Sequence, residues 1–145
     1  MSHVRRQIRE AAAAAVTGLA TTSTRVFQSR IYPLRDADLP CLLINTDDED
    51  IESGGVADAA MRRDLRLSVR GVAMVGDALD DTLDGIAEQV EAALAGSTLG
   101  GLVKMLDISG IRVEMDDGVQ KPVGVISLDY RATYFTTPAA PGTAL

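Results

Sequence analysis

Hydrophobic and polar residues alternate almost without interruption between residues 62 and 70 of this 145-residue chain. Leu65, Leu67 and Val69 fall on one side of the alternation, while arginine, aspartate and serine residues fall on the other. Arg63 is the one charged residue on the leucine side. Alternation with a period of two is typical of a strand with one buried face and one solvated face. The stretch 61–75 therefore predicts the central strand of an antiparallel sheet.

Four further segments have the composition of strands, and they span residues 24–28, 39–45, 104–115 and 122–136. In the third of these, Met105, Ile111 and Val113 are expected to point inward, and Gly110 is expected to form a bulge or a bend. The sequence Asp-Asp-Gly at 116–118 predicts a turn that joins the last two strands as a hairpin.

Apolar residues recur at helical spacing in two segments, which predicts helices over residues 2–19 and 78–95. Ser2 and Asp77 are the expected N-terminal caps, and Gly96 is the expected residue just beyond the second helix. The order of elements is then α-β-β-β-α-β-β. This order predicts an α+β fold, in which a mainly antiparallel sheet of about four to five strands packs on two helices.

Two segments are expected to lie outside the regular elements. Residues 46–60 are rich in acidic side chains and include Gly54 and Gly55, so they predict a long connection. Residues 137–145 contain two prolines and predict a flexible C-terminal tail. The chain therefore predicts a single domain over residues 1–136, followed by that tail.

The net charge of −7 is distributed in blocks along the chain. Residues 36–60 hold eight acidic side chains and no Lys or Arg, whereas residues 61–76 carry a net charge of +3. The acidic total argues against a sequence-specific nucleic-acid binder. No apolar run approaches the length of about 20 residues that a membrane span needs.

No combination of residues in the sequence predicts catalysis. His3 is the only histidine, so the chain has neither a histidine cluster for a metal nor a base beside a nucleophile in its core. No glycine-rich phosphate-binding pattern occurs. We expect no enzymatic activity, no cofactor and no specific metal. The acidic stretch leaves open a smaller alternative, a domain that binds a ligand or a divalent cation.

Charged residues on the predicted sheet are the candidate functional residues. Arg62, Arg66 and Arg70 share one face, in steps of roughly 13 Å. Such a row is either a solvated face or a protein interface, for which arginine is well suited. Asp129 on the last strand is placed to pair with one of these arginines across the sheet. The full set of candidates for contacts between subunits or with a tail tube is Arg62, Arg66, Arg70, Asp47, Asp48, Glu49, Asp50, Glu52, Asp129 and Arg131.

Two short motifs and the order of elements resemble a known family. Asp38, Leu39, Pro40 and Cys41 open a buried strand, after the segment Tyr-Pro-Leu at 32–34. Leu128, Tyr130 and Tyr134 lie on the last strand in the pattern Leu-x-Tyr-x-x-x-Tyr. The pattern over about residues 3–136 resembles the tail terminator proteins of long-tailed phages, of the lambda minor tail protein U type. Cys41 stands where that family has alanine.

The resemblance implies a structural protein that forms a ring, usually a hexamer, at the end of the phage tail tube. Such a ring stops polymerisation of the major tail tube protein and provides the surface that joins a head-completion protein. The implied location is the bacterial cytoplasm during assembly, and afterwards the tail of a phage or prophage virion. A head–tail connector or neck completion protein of similar size and class is the alternative.

Overall fold

The computed structural model describes residues 2–28, 35–53, 59–76, 78–116 and 122–145, without the side chains of Asp36 and Asp116. Two helices and five strands follow in the predicted order, and the fold is α+β. The helices are α1 (Val4–Ala15) and α2 (Leu79–Leu94), and the strands are β1 (Val26–Phe27), β2 (Cys41–Glu52), β3 (Met61–Met74), β4 (Met105–Asp116) and β5 (Val123–Thr136). Neither of these helices has both the length and the apolar character needed to cross a bilayer.

The sheet has the strand order β1-β2-β3-β5-β4, so β3 lies at its centre as the alternation predicts. β1 is parallel to β2, and the remaining neighbours are antiparallel. Leu65, Leu67 and Val69 are fully buried on the face that α1 and α2 cover. Their burial against the helices gives the main core. A second, smaller cluster of buried residues lies at one end of the opposite face and consists of Cys41, Leu43, Val72, Val123 and Val125. We call this opposite face the open face, because no helix covers it and Arg66 and Arg131 are exposed on it.

β2 is longer than the sequence predicts, because it continues to Glu52 instead of ending at Asn45. Much of the predicted connection at 46–60 is therefore strand, paired with β3 as far as Glu52 opposite Arg62. A register shift between Thr46 and Glu49 interrupts the pairing. Residues 46–52 have the acidic composition of a loop although they form a strand, because most of their carboxylates point to solvent.

The prediction that Met105, Ile111 and Val113 point into the core is wrong, since their exposed fractions are 45%, 45% and 53%. β4 is the edge strand, and the helices pack on β2, β3 and β5. Ile111 and Val113 do lie on the helix side of the sheet, but no helix reaches them. A register shift between Ile108 and Gly110 confirms the predicted bulge and leaves Met105 opposite Thr133, on the other face.

The ends of α1 differ from the prediction. His3, not Ser2, is the N-terminal cap, because its Nδ1 accepts a hydrogen bond from the backbone N–H of Arg5 at 3.1 Å. Burial, followed by the charges of Arg5 and Arg63, lowers the pKa of His3 and favours this unprotonated acceptor. The helix ends at Ala15 rather than at residue 19, ahead of Gly18 with a φ of +91°.

The second helix matches its prediction closely. Its apolar stripe is buried as expected, and Gly96 follows the C-terminal cap with a φ of +66°, a conformation that suits glycine. The N-terminal cap is Ala78, which makes no side-chain cap hydrogen bond, and not the predicted Asp77. Asp77 itself, and Asp117 and Gly118 of the predicted turn, lie outside the described residues. Residues 32–34 and 54–58 lie outside them as well.

Residues 137–145, predicted as a flexible tail, fold back against the start of α1. The backbone N–H of Val4 donates to the Pro141 carbonyl at 3.0 Å, and the side chain of Gln7 donates to the Gly142 carbonyl at 2.9 Å. Leu145 returns to β5 through a backbone hydrogen bond to Phe135 at 2.9 Å. These contacts join the two ends of the chain.

Candidate interaction surfaces

The open face of the sheet carries the predicted row of arginines. Arg62, Arg66 and Arg70 lie on the face of β3 opposite the helices, with Arg66 exposed and the other two partly buried. Arg62 lies 3.3 Å from Asp64, measured between Nε and Oδ2. The row is therefore interrupted by acidic side chains, and the face is a mosaic of both signs instead of a continuous basic stripe.

Asp129 contacts a different arginine from the ones that the sequence suggests. It lies opposite Ser68 in the β3–β5 register, and its carboxylate is 3.6 Å from the guanidinium of Arg112 on β4. Arg112 was not among the candidates, because it lies on a strand whose position at the edge of the sheet is not apparent from sequence. The ion pair ties β4 to β5 across the open face.

Arg66 and Arg131 form an unusual pair at the centre of this face. They lie directly opposite each other on β3 and β5, and both are exposed. Like charges in directly opposed positions disfavour strand pairing. Neither guanidinium has an ion-pair partner among the described residues. Asp107 of β4 lies opposite Arg131 in the β4–β5 register and offsets part of its charge. The guanidinium of Arg66 remains for an acidic surface of another molecule to neutralise.

The acidic residues of β2 divide into two groups. Asp47, Asp48, Asp50 and Glu52 are exposed, as an interface would require. Glu49 differs, because its side chain is only 3% exposed. The register shift before Glu49 places it opposite Leu65 on the helix side of the sheet. The bulge thus moves one carboxylate of the acidic run into the interior.

Glu49 is the centre of a buried network of polar side chains. Its Oε2 lies 3.1 Å from Nη1 of Arg63, whose side chain is 8% exposed. Its Oε1 accepts a hydrogen bond from the hydroxyl of Tyr134. Arg63 also donates to Oγ1 of Thr136 at 3.0 Å and lies 6.0 Å from the centre of the Tyr134 ring. The network joins β2, β3 and β5.

Arg5 connects this network to α1, with Nη1 3.5 Å from Glu49 Oε2. Burial, and then the hydrogen bond to Glu49, raise the pKa of Tyr134 well above its usual value, so the phenol keeps its proton. The position of Arg63 on the leucine side of β3 was the signal in the sequence, since a buried guanidinium requires an acidic partner. Glu49 is thus a structural residue in this fold.

The open face also has a shallow depression of about 260 Å³ between β2, β3, β5 and β4. Its lining is almost entirely polar and includes Asn45, Arg70, Arg112 and Glu114. In the part of the chain that the structure describes, no group of three or more His, Cys, Asp and Glu side chains is arranged to hold a metal ion. The chemistry of this face is that of a charged contact surface.

On the opposite side of the domain, helix α2 is acidic, whereas α1 carries three arginines and one glutamate. Every charged residue of α2 is an acid, and all of them are exposed: Asp80, Asp81, Asp84, Glu88 and Glu91. Arg66 and Arg131 therefore lie on one face of this two-layer domain, and the acidic helix α2 lies on the other. Such an arrangement suits contacts between copies in which one face of each molecule meets the other face of the next.

No protein-family model matches this chain, and no curated protein matches it significantly. Among solved structures, it is similar to a chain in the virion of a native gene transfer agent (GTA) particle. The two chains are 22% identical, the similarity covers 92% of each, and the TM-score is 0.42.

Proposed function

We propose that this protein is a structural, non-enzymatic component of a phage or prophage virion that assembles with copies of itself. More specifically, it acts as a tail terminator: a ring, hexameric in the related family, that caps the tail tube and ends its polymerisation. The same ring offers the surface to which the head-completion protein binds. The protein acts in the bacterial cytoplasm during assembly and remains in the virion tail.

The resemblance to tail terminators supports the specific role. The segment at 38–41 leads into β2, and Leu128, Tyr130 and Tyr134 are buried on β5, as the family pattern implies. Both motifs therefore serve the core of a fold with the expected order of elements. The two motifs account for the fold, whereas assembly depends on residues at the surface.

The observation that carries self-assembly is the placement of the Arg66–Arg131 pair on one face of the domain and of the acidic helix α2 on the other. Both arginines are exposed on the open face, and every charged residue of α2 is an acid. A contact between unlike faces is heterologous, so repetition produces a closed ring or an open filament. Because its charges are exposed, this contact is expected to weaken as salt is added.

The proposal is tested by measuring the mass of the protein in solution by light scattering during size-exclusion chromatography, at low and high salt. We expect an oligomer in the wild type and a smaller species in Arg66→Glu. This variant places Glu opposite Arg131, so strand pairing gains an attraction and the fold is retained. Circular dichroism tests whether the variant keeps the secondary structure of the wild type.

Lys104→Glu is the matched control, because it makes the same change of charge at an exposed position just before β4. We expect it to keep the mass of the wild-type oligomer. A wild type that stays monomeric throughout the micromolar range at low salt contradicts self-assembly. An Arg66→Glu variant with an unchanged oligomer shows that the open face is not the contact.

A further inference from the structure

The edge strand β4 exposes a row of apolar side chains. Ile108, Ile111, Val113 and Met115 have exposed fractions of 41%, 45%, 53% and 59%. All four lie on the helix side of the sheet. Met115 borders a shallow depression beside the start of α2, whereas Ile111 and Val113 lie beyond the helices. A long edge strand with an exposed apolar side offers both unpaired backbone groups and apolar surface to another strand. Such an edge is a surface for strand addition.

The sequence of this edge is complementary to itself. If two copies of β4 pair antiparallel with Val113 opposite Val113 of the second copy, Ile111 lies opposite Met115 of the other chain. In the same register Arg112 lies opposite Glu114, twice over by symmetry. Arg112 and Glu114 are both on the open-face side, with exposed fractions of 62% and 67%. They lie 3.8 Å apart within one chain, so the pairs between copies would extend or replace that contact. Apolar side chains thus meet on one face, and opposite charges meet on the other.

The other edge of the sheet is a poorer partner for β4. There β1 already occupies the side of β2 at Leu42 and Leu43. The rest of β2 is interrupted by the bulge after Thr46 and carries exposed acids, which would lie near Glu114 and Asp107 of β4. An irregular acidic edge cannot match the alternating apolar and charged residues of β4. A second copy of β4 matches both features.

We propose that β4 is a self-association surface, through which two copies of this chain form a symmetric dimer with one continuous sheet. The contact is isologous, and its two-fold axis passes by Val113. It uses the edge of the sheet, whereas the ring contact proposed above uses the open face and α2. The dimer therefore does not depend on the ring, and the two contacts can be tested separately.

The test reverses the charge of Arg112 or of Glu114, the two residues that oppose each other in the proposed dimer. Both variants are made in the Arg66→Glu protein, in which the proposed ring contact is weakened. Arg112→Glu alone places two acids opposite each other, and Glu114→Arg alone places two arginines opposite each other. We expect the dimer dissociation constant to rise about tenfold or more in each variant. When the two variants are mixed, every opposed pair is again of unlike charge. Sedimentation velocity should then show a one-to-one heterodimer.

A mixture that associates no better than its components overturns the proposed register. Variants that both dimerise like the parent exclude β4 as the contact, and a parent that is monomeric at its highest soluble concentration excludes the dimer. Circular dichroism of each variant separates loss of fold from loss of contact, because Arg112 also contacts Asp129 within its own chain.

Single cysteines give an independent measure of the register. Val113→Cys should form a disulfide-linked dimer under mild oxidation, because the two cysteines are directly opposed on the symmetry axis. Ile111→Cys is the matched control, with similar exposure but a partner four residues away, and it should stay unlinked. The native Cys41 is fully buried and does not compete. Equal linkage of the two variants contradicts the register.

Discussion

Replacement of Glu49 by alanine should destabilise this protein far more than replacement of its neighbour Asp48. Without the Glu49 carboxylate, the guanidinium of Arg63 stays buried with only the Thr136 hydroxyl and the Tyr134 ring as partners. Removing one partner of a buried ion pair costs about 3–5 kcal/mol of unfolding free energy. Asp48 is exposed, so its replacement should cost at most about 0.5 kcal/mol.

Urea unfolding followed by circular dichroism measures this difference. With a slope of about 2 kcal/mol per molar urea, the midpoint for Glu49→Ala should fall by about 2 M relative to the wild type. The double variant Glu49→Leu with Arg63→Met should recover much of the loss, because it leaves no unpaired buried charge. Equal midpoints for the Glu49 and Asp48 variants would refute the register shift that turns Glu49 inward.

Three further results are expected. Gly71→Ala should lower the free energy of unfolding by about 1–3 kcal/mol, because its Cβ would lie 2.6 Å from a methyl carbon of Ile86. Gly85→Ala should raise the free energy of unfolding by about 0.5–1 kcal/mol in the same urea assay, because Gly85 is in a helix and has open space around it. Burial raises the pKa of Tyr130 from 10.0 to about 12. Tyr130 should therefore add a decline in stability above pH 10, beside the losses that the raised pKa values of Cys41 and Tyr134 cause at alkaline pH. Tyr130→Phe should flatten that decline in melts at alkaline pH; an unchanged slope contradicts the assignment. Deletion of residues 137–145 should lower the melting temperature and increase hydrogen exchange at the start of α1, whereas a flexible tail would leave both unchanged.

The elements in which hydrophobic residues recur with one regular spacing could be predicted from the sequence. The alternation of Leu65, Leu67 and Val69 located the central strand, and the stripe of α2 located its buried face. Both patterns reflect burial against elements close in the fold, so a local period is sufficient to find them. The order of elements followed from these assignments.

The bulges were harder to predict, because one extra residue reverses the face of every residue beyond it. The shift before Glu49 turned a carboxylate of an acidic segment into a core residue, and the shift after Ile108 put Met105 on the open face. The exposure of Val113 had a different cause. A strand pattern shows which side of the sheet a residue faces, but it does not show how far the helix layer extends.

The candidate interface was predicted in outline. The three arginines do share one face, and Asp64 between them follows from the same alternation. The Arg66–Arg131 pair and the ion pair of Asp129 with Arg112 depend on which strands are neighbours. Non-local register of this kind is not encoded in the spacing within one strand. The roles of these residues in contacts between subunits or with a tail tube stay predictions.

The length of tails assembled without this protein tests the proposed role most directly. Negative-stain electron microscopy of particles from a strain that lacks the gene measures it, with complementation by the wild-type gene as the control. A tail terminator predicts overlong tails of variable length, because nothing stops polymerisation of the tube. Tails of normal length that are detached from heads would contradict the account and indicate a connector.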